Sequence, residues 1–212
     1  AVRSICKDFN FSMCLSIFKH ILSGRQDMRL GPEAMEALQA EITGKLKTGD
    51  DLVVAGPVGL EGTIQIIKER EEYLKQYFST GFLYELIRLE PEIRGKLPEQ
   101  ETDSLYEMGK GGVLAALWKM AEVSQTGLKI DLRKIPIRQE TIEICERSDK
   151  DPYKLFSGGS VLIGCTDGQS LAEWYKAQGI PAAVIGKAVK GNDRLLYSGE
   201  LIRYLDRPGK EQ

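Results

Sequence analysis

The chain has 212 residues, 29 of them basic and 31 acidic, for a formal net charge of −2 with both signs spread along its length. That balance gives no electrostatic footing for nucleic acid or for an anionic membrane surface. No apolar run approaches the roughly 20 residues needed to span a bilayer, and the opening segment carries charge inside its apolar part, unlike a signal peptide, so a cytoplasmic protein with neither partner is expected.

The four cysteines, Cys6, Cys14, Cys145 and Cys165, form no Cys-x-x-Cys pair. They read as buried free thiols, a Cys6–Cys14 bridge being one pairing among three. With His20 as the one histidine, a zinc site or a Ser/Cys-His triad would need a second chain.

In chain order, Phe11 to Leu22 has the spacing of an amphipathic helix ending at Ser23-Gly24, and its apolar face must dock on the main domain or on a second copy. Pro32 opens a second helix through Leu38 and Ile42 to Leu46, and Thr48-Gly49-Asp50 turns the chain. Leu52 to Ala55 is a short buried strand. Gly56, Gly59 and Gly62 then lead into a helix carrying Ile64, Ile66, Ile67, Tyr73, Leu74 and Phe78, with Lys68 to Glu72 as its charged face. The G-x-x-G-x-x-G spacing is not a dinucleotide fingerprint, and Gly44-Lys45-Leu46 is not a phosphate loop. A further helix is expected from Gly81 to Leu89, then a polar connection over 91–103.

The stretch from Ser104 to Leu132 organises the rest. Leu105, Tyr106 and Glu107 form a strand, Gly109-Lys110-Gly111-Gly112 a turn, and Val113 to Val123 a helix apolar on most sides; Gly127 stops it, and Leu128, Ile130 and Leu132 alternate as a strand. The helix N-terminus thus opens on a glycine turn. Such a turn can bring unpaired amides and the positive dipole end to an anion, with Lys110 adding a full charge, or it can simply let strand and helix pack closely. Downstream, Pro136 stands at a helix entry, Asp151-Pro152 caps a turn, and Ser157-Gly158-Gly159-Ser160 leads into a buried strand, Val161 to Cys165. Asp167 caps a helix that ends at Gly179. Ala182–Gly186 and Arg194–Tyr197 read as strands joined by a hairpin-like turn over 190–193. The class is α+β, a mixed and mostly buried sheet flanked by helices, with a helical leader at 1–47 and one domain over 48–212.

Several segments are similar to the C-terminal domain of the aminoimidazole ribonucleotide (AIR) synthase-related family. They are Gly49-Asp50-Asp51-Leu52-Val53-Val54, Gly56-Pro57-Val58-Gly59-Leu60-Glu61-Gly62-Thr63, Gly111-Gly112, Ala121-Glu122-Val123-Ser124, Ile130-Asp131-Leu132, Ile135-Pro136-Ile137-Arg138, Ile144-Cys145-Glu146, Asp151-Pro152, Ser157-Gly158 and Gly179 to Gly186. The superfamily includes the hydrogenase-maturation dehydratase, selenophosphate synthetase and thiamine-monophosphate kinase, and the likeness covers roughly residues 47 to 207.

The resemblance implies an ATP-using enzyme whose N-terminal half holds ATP and its metal ions while the C-terminal half closes over a small-molecule substrate. Here fewer than 50 residues precede the resembling part, and Arg25-Gln26-Asp27-Met28 is not an aspartate pair. Hydrogenase-maturation relatives carry His-Asp-x-Thr-x-Gly-Gly where this chain has Tyr106, Glu107, Met108, Gly109, Lys110, Gly111 and Gly112. His to Tyr removes the group best able to move a proton near neutral pH. Glu107, Gly109, Lys110, Gly111, Gly112, Ser157, Gly158 and Gly159 are the candidate anion- or substrate-binding residues. No catalytic residue and no metal ligand is assigned. ATP and Mg are expected only if the missing half is supplied, from an ATP-binding partner domain or within a homo-oligomer. The alternative is a catalytically silent ligand-binding or regulatory module of the same fold.

Overall fold

The structure, a computed structural model, describes residues 30–89 and 102–209. The helix expected over Phe11 to Leu22, with Cys6, Cys14 and His20, lies outside the described residues, as does most of the 91–103 connection. The chain divides into two compact units, Ala1–Glu36 and Ala37–Gln212. Of the first, the described part is the opening of α1 (Pro32–Glu41).

The second unit is built on one eight-stranded sheet among the described residues. Its strands are β1 (Thr43–Gly44), β2 (Asp51–Ala55), β3 (Ser104–Glu107), β4 (Gly127–Asp131), β5 (Val161–Cys165), β6 (Ala182–Val189), β7 (Arg194–Ser198) and β8 (Leu201–Tyr204). They lie in the order β1-β3-β5-β2-β6-β4-β7-β8. Neighbours are antiparallel except β4 and β7, which run parallel, so the sheet is mixed, as its sequence pattern predicts. The neighbouring interior strands β2 and β5 are short apolar runs buried almost throughout.

Alternation along these strands divides the core in two. Val53 and Ala55 of β2 join Val161, Ile163 and Cys165 of β5 against Leu171, Ala172 and Tyr175 of α7 (Gly168–Ala177). Leu52, Val54 and Leu162 point the other way and are fully buried. On the sheet runs α5 (Gly112–Ser124), buried at ten of its positions, as its nearly all-round apolar sequence requires. A second cluster joins Ile66 and Ile67 of α2 (Leu60–Glu69), Leu74 of α3 (Glu71–Leu74), Leu83 and Leu86 of α4 (Thr80–Ile87), and Ile144 of α6 (Gln139–Ser148).

Several expectations are corrected. The second helix ends at Glu41 rather than Leu46: Gly44 takes a positive φ of 72° and pairs with Ser104 as part of β1. The helix expected from Ile64 to Phe78 breaks at Arg70, inside the all-charged run Lys68–Glu72, where no apolar side holds a helix down. Gln125, at φ 52°, makes the left-handed stop of α5, and Gly127 instead begins β4. Leu132 leaves the strand for a 3₁₀ turn. Pro136 does not open α6; its carbonyl accepts the Val58 N–H, and the helix starts three residues later. Residues 190–193 are not a hairpin, because β4 lies between β6 and β7 and the loop crosses its end. The crossing depends on Gly127, where a Cβ would stand 2.8 Å from the Asp193 carbonyl.

Candidate functional site

Strand β3 pairs along its length with β5, from Ser104 opposite Gly164 to Glu107 opposite Val161. The chain then turns into α5. On leaving β3, the Met108 N–H donates to the Ser160 carbonyl at 2.8 Å, and the Ser157 N–H donates to the Gly109 carbonyl at 3.2 Å. The two glycine segments singled out in the sequence are therefore stitched together through their backbones.

Within that pair the candidate residues hold different positions. Glu107 is exposed at the end of β3 and Lys110 is exposed on the turn. Gly111 occupies the N-cap position of α5 at φ 77°, with no side-chain cap on the helix amides, which leaves the first-turn donors to other partners. Gly112, also left-handed at φ 62°, lies on the backbone of the 3₁₀ turn Pro152–Lys154: a Cβ there would stand 2.5 Å from the Tyr153 carbonyl oxygen and 2.6 Å from that of Leu155. This glycine is a packing contact. Ser157 is fully buried; its hydroxyl accepts from the Gly59 N–H at 2.9 Å and donates to the Leu155 carbonyl at 2.8 Å. Its one proton is thus committed to the Leu155 carbonyl, while its oxygen, as acceptor, holds the Gly56–Gly62 turn beside the loop. Gly159 is left-handed at φ 76°. A Cβ on Gly158 would collide with the carboxylate of Glu61, from the first turn of α2.

Tyr106, at the histidine position of the resembling motif, faces away from proton chemistry. Its phenol accepts from Lys119 at 2.8 Å and donates to Glu41 at 3.4 Å, and Lys119 also pairs with Glu41 at 3.1 Å. Burial pulls the Lys119 ammonium down, but the bonds to Tyr106 and Glu41 outweigh that and hold its pKa above the ordinary lysine value. Lys119 is therefore charged at neutral pH. The buried thiols of Cys145 and Cys165 have pKa values pushed up to about 11, in each case chiefly by burial. Neither is a nucleophile at neutral pH.

Alongside α5, starting at Lys110, runs a groove of about 510 Å³ whose opposite wall is residues 203–209, the end of β8 and the segment after it. Five lining side chains are cationic, Lys110, Lys119, Lys154, Arg203 and Arg207, against one carboxylate, Asp206. Leu114, Leu196 and Leu205 lie under them. Sequence reasoning reaches Lys110 but misses Glu61, Lys154, Arg203 and Arg207. The first two come from distant turns, and Arg203 lies in β8, with Arg207 just after it, a strand with no apolar alternation to announce it. Among the described residues no group of three or more His, Cys, Asp or Glu side chains converges to hold a metal ion, and no helix is long and apolar enough to cross a membrane.

Comparison with known proteins fits this architecture. The family described as AIR synthase related protein, C-terminal domain, matches residues 47–197. A hydrogenase expression/formation protein of Methanocaldococcus jannaschii is 29% identical over 150 residues, covering 68% of this chain and 44% of that protein. The carbamoyl dehydratase HypE of Rhodobacter capsulatus is 23% identical over 156 residues, covering 69% and 43%. Among solved structures, hydrogenase maturation protein HypE in complex with ATP superposes with a TM-score of 0.58 at 17% identity, over 78% of this chain and 52% of that one. At that identity the likeness is one of fold. The chain spans less than half the length of the two curated relatives.

Proposed function

This chain belongs to the AIR synthase related family through the C-terminal domain, and on that premise we propose that it is the substrate-holding part of an ATP-using enzyme, silent toward ATP until a nucleotide-binding half is supplied. The glycine turn of residues 109–111 and the cationic rim beside it hold the anionic part of a small-molecule substrate. One observation carries this reading: the backbone bonds from Met108 to Ser160 and from Ser157 to Gly109 fix an uncapped helix start and Lys110 at the mouth of a strongly cationic groove. Amides at a helix start with cations beside them are what an anion needs.

One structural neighbour is a HypE solved in complex with ATP, and the family relationship brings ATP here as an expectation. Phosphoryl transfer rests on metal ions and cations converging on the triphosphate. Among the described residues no three or more His, Cys, Asp or Glu side chains converge on one point, and no phosphoryl-transfer step is assigned to them. Purified chain with Mg-ATP should release phosphate at the buffer rate, and an ATP-binding half from a HypE-type relative, added in trans, should be needed for turnover. Hydrolysis by the chain alone, abolished by Lys110→Ala, overturns the proposal.

A second reading, a silent ligand-binding or regulatory module, draws on the Tyr106 phenol. Its engagement by Lys119 and Glu41 removes it from proton transfer at the loop. Ligand binding without turnover, even in the presence of the added half, distinguishes this module from the first reading.

A further inference from the structure

We infer that β8 is a self-association edge: the β8 strands of two copies of this chain pair antiparallel about a two-fold axis at Ile202 and join their sheets edge to edge. β8 lies beyond residues 47–197, the part matched to the family, and the pairing is independent of the anion reading.

β8 ends the sheet on one side, and among the described residues no strand pairs with its outer edge. The direction of its backbone groups follows from the ladder. The Leu205 N–H donates to the Arg194 carbonyl at 2.8 Å, and along an antiparallel pair the residues that exchange hydrogen bonds alternate with those that do not. Arg203, opposite Leu196, and Leu201, opposite Ser198, therefore bond to β7. Ile202, between them, turns its N–H and carbonyl away from β7. The side chains guard that edge poorly: Leu201 is 76% and Ile202 60% exposed, and of the charges, prolines and bulges that usually blunt an edge strand β8 holds Arg203 alone.

A second β8 is the strand that fits. The opposite edge of the sheet cannot serve, because β1 is two residues long and Gly44 within it takes a positive φ; a head-to-tail contact would also leave the assembly open-ended. Like charge then selects the register. Outward-turned residues must oppose outward-turned residues, so the axis passes through Ile202, Arg203 or Tyr204. An axis at Arg203 sets two guanidinium groups directly opposite each other, which is destabilising. One at Tyr204 carries the pairing past the end of the strand. The axis at Ile202 exchanges two backbone hydrogen bonds between the Ile202 residues of the two copies. It also sets each Arg203 opposite Leu201 of the other copy, against which its aliphatic stem packs, and so keeps the two charges apart.

So short a contact makes a weak dimer: sedimentation equilibrium of the full chain should show monomer and dimer exchanging with a Kd on the order of 10–100 μM. Ile202→Pro removes an outward donor and no bond to β7, and Ile202→Lys puts a charge on the axis; each should weaken the dimer by at least about tenfold. Oxidative cross-linking reads the register, in a background carrying Cys6→Ser and Cys14→Ser. Hydrogen-bonded neighbours across an antiparallel pair lie about 5.5 Å apart at Cα, within disulfide reach, so Ile202→Cys should give a covalent dimer. Glu200→Cys, more than about 13 Å from its counterpart in this register, should not. A chain still monomeric at about 0.5 mM, a dimer indifferent to both Ile202 variants, or equal cross-linking at the two positions overturns the inference.

Discussion

Asp50 shows how single side chains in this fold carry a cost. It is 4% exposed, and its carboxylate accepts the Lys47 N–H at 2.7 Å. Burial raises its pKa; the Lys47 bond opposes this, and the nearby Asp103 and Asp51 charges add to the rise. A carboxylate whose folded pKa lies above its unfolded value of 3.8 binds protons more readily when folded, so its ionised form disfavours the folded state. That cost is absent below the unfolded value, grows as pH rises towards the folded pKa, and is complete above it. Asp50→Asn, which keeps an acceptor for Lys47, should raise the Tm at pH 7, with the gain shrinking to nothing below pH 3.8. A Tm difference that persists in acid would show another cause. Much at this scale was legible in the sequence: Asp151 and Asp167 cap their turns through Tyr153 and Ser170 N–H groups, and Cys145 and Cys165 are buried thiols. The contact of Glu61 with Gly158 was not, because residues almost a hundred positions apart meet only once α2 and the 157–160 loop are in place.

Among the elements, the junction of α5 with the 3₁₀ turn Pro152–Lys154 decides how the candidate site is held. Gly112→Ala combines a left-handed backbone with overlap on two fixed carbonyls and should cost about 3 kcal/mol in urea denaturation. Gly179→Ala, equally left-handed at φ 79° but with nothing within 4 Å, isolates the backbone part and should cost about 1 kcal/mol. Equal losses at the two positions would mean that close packing at Gly112 contributes nothing. The sequence offered two uses for this glycine turn, packing and anion binding. The structure assigns Gly112 to packing and leaves Gly111 and Lys110 at the groove. Strong local patterns located β2, β5, α5 and α7. β1 and β8 escaped because a two-residue strand has no period, and every residue of β8 is exposed. The order β6-β4-β7 escaped too, since pattern alone cannot show that a short loop steps over a neighbouring strand.

At the level of the whole molecule, the sheet supplies a base on which two backbone loops, a helix start and residues 203–209 at and beyond the end of β8 converge. The family relationship covers residues 47–197, most of that sheet. The central claim is that the glycine turn holds an anion. It is tested most directly by following backbone amide NMR shifts while inorganic phosphate is titrated into the full chain. Saturable shifts should concentrate at Gly109 to Leu114 and weaken in Lys110→Ala. Shifts scattered over unrelated lysines, or none at this turn at millimolar phosphate, would contradict the claim.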